Sequence, residues 1–175
     1  GGYSSRMGRN KAELPFGGQR MIDYQVRRLQ MLGIGDILIS GYAGAVEGGR
    51  FVPDLVPHRG PLSGIHAGLA AAKHGACLVL SVDAPLVPLS ALFTLLESHR
   101  TDAAILEHDG QPEPLIGVYD CALAPVCGEL LAGERSSVMG LLDRAKVTRI
   151  PCKADPLLLS NCNTPEEYAA LLSHG

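Results

Sequence analysis

The sequence predicts an α/β domain in three layers, α/β/α, built on a mainly parallel sheet. Short apolar runs of strand length alternate with longer amphipathic stretches, and glycine- and proline-bearing connections between them are short. No repeat, low-complexity tract or linker divides the 175 residues, so residues 1–175 are expected to form a single domain. With 46% hydrophobic and 19% charged residues, the chain has the composition of a folded protein rather than a disordered one.

Asp36-Ile37-Leu38-Ile39-Ser40 is β-branched and bounded by glycines, as a buried strand should be. Further strands are expected at 77–82, 103–106, 115–119 and, near an edge, 147–150. The first helix is expected at 22–31, with Ile22, Val26 and Leu29 facing inward and Arg27, Arg28 and Gln30 outward. The second, at 62–73, has Pro61 for its first turn and Gly75 near its end. Helices follow at 89–99, 122–131 and 165–172, the last with Thr164 as N-cap and Glu167 completing a capping box.

The formal charge of −3 and a pI near 6.1 provide no general field for nucleic acid, so any bound polyanion must meet a local cluster such as Arg6, Arg9 and Lys11. The five cysteines are odd in number, lack a CxxC pair and match no zinc pattern, which fits reduced thiols in a cytosol. No apolar run approaches the ~18 residues of a membrane helix. The opening residues do not read as a signal peptide, so the protein is expected to be soluble and cytoplasmic. The six histidines (58, 66, 74, 99, 108 and 174) form no ligand set by spacing.

Four segments carry chemistry. In Gly1-Gly2-Tyr3-Ser4-Ser5-Arg6-Met7-Gly8-Arg9-Asn10-Lys11 the glycines let backbone N–H groups approach an anion, Arg6 offers a donor fork and Lys11 a mobile charge. A basic N-terminal tail is the plain alternative. Such a loop normally follows a first strand, so that strand is expected to precede Gly1. In Leu80-Ser81-Val82-Asp83-Ala84-Pro85, Asp83 ends a buried strand, where it would hold a magnesium ion on a triphosphate or simply cap a turn. Asp54 precedes Arg59-Gly60-Pro61-Leu62-Ser63-Gly64, a helix start whose N–H groups favour an anion or a base edge. Asn161 and Asn163 point one way in an extended segment; they either hold a phosphate or a hydroxyl, or tie down the backbone before the last helix.

Taken in order, GGYSSRMGRNK, FVPD, RGPLSGI, LSVDAPLVP, PEPLIGVYD, GERS and NCNTPEEY resemble the molybdenum cofactor guanylyltransferases, the MobA-like branch of the nucleotidyltransferases. The resemblance spans nearly the whole chain and implies a Rossmann-like nucleotidyltransferase fold. It also implies GTP and molybdopterin as substrates, magnesium as cofactor and pyrophosphate as product, with cofactor-delivery or acceptor proteins as further partners. By the same likeness Gly1, Gly2, Arg6 and Lys11 hold the triphosphate, with Lys11, Arg6 and Asp83 as the catalytic set. Asp83 carries the metal, Asp54 sits beside guanine or ribose, and Gly60, Pro61 and Leu62 line the nucleotide. Arg135, Asn161 and Asn163 face the acceptor. Two departures stand out: Glu13 follows the signature lysine, and Ser40-Gly41-Tyr42 stands where the family often has an asparagine-containing turn. The alternatives are a cytidylyl or sugar-phosphate transferase of the same fold, or a silent nucleotide-binding module. A dehydrogenase fails for want of GxGxxG.

Overall fold

The computed structural model describes residues 10–133, 136–153, 159, 162 and 164–173. The described part of the chain opens with a single 3₁₀ turn, Lys11–Glu13, capped by the Asn10 side chain, which accepts from the Ala12 N–H at 3.1 Å. A two-residue hairpin follows, β1 (Pro15–Phe16) and β2 (Gln19–Arg20), turned by Gly17 and Gly18, both at positive φ. Helix α1 (Met21–Met31) leads to β3 (Leu38–Ile39), which pairs in parallel with β4 (Arg50–Phe51). Then come α2 (Pro61–Ala71), β5 (Ala76–Leu80), α3 (Leu89–Ser98), β6 (Ala103–His108) and β7 (Gln111–Asp120). The described elements end with α4 (Ala124–Ala132), α5 (Val138–Leu142), β8 (Val147–Pro151) and α6 (Pro165–Leu172).

The four-stranded sheet has the order β5-β7-β6-β8, and it is mixed, not mainly parallel. Strand β7 runs antiparallel to both neighbours, and only β6 and β8 are parallel. The cause lies at Asp109 and Gly110, whose φ values of 49° and 74° are those of a tight hairpin turn that reverses the chain between β6 and β7. An aspartate–glycine pair between apolar runs is a hairpin signal that the alternation of strands and helices conceals.

Along β6 the side chains alternate. Ala103 and Ile105 join a core with Leu62, Ile65 and Leu69 of α2, Cys127 and Leu131 of α4, and Leu141 of α5. Ala104 and Leu106 join one with Leu92 and Leu95 of α3. Both faces of the strand are therefore apolar, which explains its continuous hydrophobic run. Gly117 of β7 faces Ile105 so closely that a Cβ there would lie 2.8 Å from the Ala104 carbonyl oxygen. Directly after that pair the register slips: Leu106 faces Glu113, and Pro114, Leu115 and Ile116 bulge away from β6, with Ile116 still paired to Leu80 of β5.

The outward placement expected for Arg28 is corrected. It is 6% exposed, with its guanidinium donating to the Val87 carbonyl and, at 2.8 Å, to Gln25 Oε1 inside the protein. Burial pushes its pKa below the ordinary arginine value. The capping box at Thr164 and Glu167 is present as expected. Among the described residues no helix is long and apolar enough to cross a membrane.

Candidate functional site

Strand β5 stops at Leu80, and the chain then turns through Ser81-Val82-Asp83-Ala84. The turn is fixed from three sides. The Ser81 N–H donates to the Leu115 carbonyl of the β7 bulge at 3.0 Å. Gln25 of α1, 5% exposed, donates its amide to the carbonyls of Ser81 at 3.0 Å and Ala84 at 3.2 Å. The Cys162 N–H donates to the Asp83 carbonyl at 2.9 Å.

Into this turn comes Lys11, whose Nζ lies 2.5 Å from Asp83 Oδ2. The other carboxylate oxygen, Oδ1, accepts from the Ser81 hydroxyl. A buried cation and a buried carboxylate are tolerated in low dielectric because each neutralises the other. Asp83 thus has one oxygen on the Lys11 ammonium and the other on the Ser81 hydroxyl. An anionic ligand reaching this turn would compete for Lys11, and a divalent cation would compete with Lys11 for Asp83.

A second group forms beside the start of α2. Ser40, just beyond β3, donates its hydroxyl to Asp54 Oδ1 at 2.6 Å. Gly64, in the first turns of α2, leaves room for that contact: a Cβ there would lie 2.7 Å from Ser40 Oγ. Gly60 takes φ 72°, which suits glycine, and hands over to Pro61 as the first helical residue, with no side chain capping the helix. Leu62 is fully buried in the core, so its backbone is the part that can face a ligand.

The structure thus brings Lys11 to Asp83, and Asp54 to Ser40, which packs against Gly64 of α2. Gly1, Gly2, Arg6, Arg135, Asn161 and Asn163 lie outside the described residues. Cys162, between the two asparagines in sequence, is 1% exposed and packs with Phe16, Met21 and Leu171, with its own N–H on the Asp83 carbonyl. Sequence reasoning overlooked Ser81 and Gln25. Ser81 was discoverable, since it stands two residues before Asp83 in an extended run and so shares its side; a glutamine within an amphipathic helix carries no such signal.

Among the described residues no three histidines, cysteines, aspartates or glutamates are grouped to hold a metal ion. A single buried carboxylate suits a magnesium ion that keeps most of its waters and shares a substrate's phosphates, not a protein-caged metal. The Asp83 turn fits that chemistry.

A model of the MobA-like NTP transferase domain matches residues 1–149. A probable molybdenum cofactor guanylyltransferase of Carboxydothermus hydrogenoformans is 32% identical, over 98% of this chain and 91% of the relative. Another, from Pelotomaculum thermopropionicum, is 33% identical over 95% of this chain and 86% of its own. The crystal structure of molybdopterin-guanine dinucleotide biosynthesis protein A from Archaeoglobus fulgidus superposes with a TM-score of 0.79 at 26% identity, covering 99% of this chain and 94% of that one.

Proposed function

This chain belongs to the MobA-like NTP transferase family, and we propose on that premise that it transfers GMP from GTP to the terminal phosphate of molybdopterin, releasing pyrophosphate. The observation that carries the proposal is the Lys11–Asp83 pair at the end of β5. It supports this reading because a cation suited to phosphate and a carboxylate suited to a metal, the two charges that nucleotidyl transfer requires, lie side by side.

In the reaction an oxygen of the acceptor phosphate attacks the α-phosphorus of GTP. The bond from that phosphorus to the bridging oxygen breaks, and the electron pair leaves with pyrophosphate. Two anions must approach, so the chain's work is alignment and charge neutralisation rather than nucleophilic catalysis. Lys11, with Gly1, Gly2 and Arg6 of the same segment, holds the triphosphate. Asp83 would hold magnesium, which would supply charge neutralisation on the phosphates. Ser81 and Gln25 keep the Asp83 turn from shifting as Lys11 lets go. Asp54, fixed by Ser40, accepts from the base or ribose, and the backbone of Gly60, Pro61 and Leu62 lines that end. Arg135, Asn161 and Asn163 meet the acceptor.

The finer architecture in this proposal is a three-layer, Rossmann-like one, supported by helices packed on both faces of β6. A cytoplasmic location goes with it, supported by five free cysteines. The test supplies magnesium and molybdopterin with GTP, CTP, ATP or UTP and follows pyrophosphate release. Release with GTP is expected. Release with CTP alone overturns guanylyl transfer in favour of cytidylyl transfer, and no release with any nucleotide favours a silent binding module.

A further inference from the structure

Glu13, two residues after Lys11, and Tyr42, two residues after Ser40, hydrogen-bond one another. The Tyr42 hydroxyl donates to Glu13 Oε1 at 3.2 Å and accepts from Arg20 Nη1 at 2.9 Å. Arg20 is itself fixed. It donates to both oxygens of Asp23, at 2.6 and 2.8 Å, and to the Ala45 carbonyl at 3.0 Å. The Tyr42 ring lies over Gly44 so closely that any Cβ there would overlap it.

We propose that Tyr42 is a positioning residue of the nucleotide site: its hydroxyl fixes the segment carrying Lys11 against the strand end carrying Ser40 and Asp54. The argument is one of connectivity. Glu13 ends the same 3₁₀ turn in which Lys11 stands. Tyr42 follows by two residues the serine that holds Asp54. Arg20 opens α1, the helix whose Gln25 holds the Asp83 turn. One phenol therefore joins the phosphate end of the site to its base end. A nucleotide touching both ends gains affinity when their separation is set beforehand, because less ordering remains to be done on binding. A ligand that touches the phosphate end alone gains nothing from that separation.

This rests on the nucleotide site proposed above, and it predicts unequal effects on two probes. Affinities of the full chain for GTP and for inorganic tripolyphosphate are measured by calorimetry with magnesium present. Y42F, which keeps the ring but cuts both hydrogen bonds, is expected to weaken GTP about three- to tenfold and tripolyphosphate less than about twofold. E13A should reproduce the GTP effect, and E13Q, which keeps an acceptor, should restore most of it. The double variant Y42F/E13A should be no weaker than Y42F, since the two residues act through one bond.

Equal weakening of both probes by Y42F makes the tyrosine a general stabiliser and overturns the proposal, as does unchanged GTP affinity. Additive losses in the double variant overturn it as well. A wild type that fails to bind GTP overturns the nucleotide site and this proposal together. Wild-type binding with an indifferent Y42F overturns this proposal alone.

Discussion

Lys11 and Asp83, 72 residues apart in the chain, meet at 2.5 Å with side chains only 11% and 12% exposed. The contact links the N-terminal turn to the end of β5, so it bears on stability as much as on chemistry. Removing one partner leaves a buried charge uncompensated, which costs far more than the pair's net worth.

D83N and K11M should therefore each lower unfolding stability by about 3 kcal/mol, measured by urea denaturation. The double variant should lose less than the sum, because it leaves no orphaned charge. Losses below about 1 kcal/mol in both singles would show that the pair is effectively solvated. In the transfer assay D83N should lower turnover on the order of a thousandfold, and activity surviving that change would remove Asp83 from the mechanism.

With both Asp83 oxygens engaged, manganese used as a magnetic probe should bind weakly to the protein alone and more tightly with a GTP analogue that draws Lys11 away. K11Q should tighten manganese binding without nucleotide by about five- to tenfold, read by electron paramagnetic resonance. Affinity equal in wild type and K11Q would mean that Lys11 does not compete for the carboxylate.

Gly117 of β7 leaves no room for a side chain against β6. An alanine Cβ would lie 2.7 Å from Ile105 Cγ2 and 2.8 Å from a backbone oxygen that cannot move independently of its strand. G117A should destabilise the protein by about 2 kcal/mol in thermal or urea unfolding. A neutral substitution would mean that the β7 bulge absorbs the strain.

Hydrogen bonding from Arg50, only partly opposed by burial, holds the Asp36 carboxyl at about 2, below its ordinary 3.8. Because the folded state favours the charged form, this contribution is complete above pH 3.8 and is lost as pH falls toward and through about 2. Melting temperatures of wild type and D36N should converge across that window, with the difference largest near neutral pH. A constant difference down to the acid end would exclude the ion pair as its source.

Burial, with a smaller contribution from the neighbouring Cys121 thiol, pushes the Cys77 thiol up to about 12, and burial takes Cys127 to about 11. Cys162 is also raised, chiefly by burial. At mildly alkaline pH these three stay protonated and should resist iodoacetamide in the native protein, while the urea-unfolded chain labels at all five cysteines. Rapid native labelling at Cys127, read by peptide mass spectrometry, would contradict its burial.

Much of the frame was legible from local pattern alone. The helix expected at 22–31 is found at Met21–Met31, and that expected at 165–172 is α6, with its capping box in place. The strand expected at 103–106 lies within β6, and that expected at 77–82 is β5, which ends two residues earlier, at Leu80. Periodicity and capping are properties of a few consecutive residues, so they survive the removal of tertiary context. The helix at 62–73 was read too long: it closes at Ala71, because Ala72 turns extended at ψ 143° well before Gly75.

The sequence by itself determined where most of the longer helices and strands form and that Asp83 follows an apolar strand. Tertiary structure decided which strands are neighbours, that Lys11 reaches Asp83, that Arg28 is buried and that Tyr42 bonds Glu13. Asp109-Gly110 encodes a reversal, but nothing local says that β7 then inserts between β5 and β6. The physical reason is range. A hydrophobic pattern states that a face must be covered without naming what covers it, and a charged side chain carries no mark of a partner 72 residues away. Those choices are made when the whole core closes and only some polar groups still find partners.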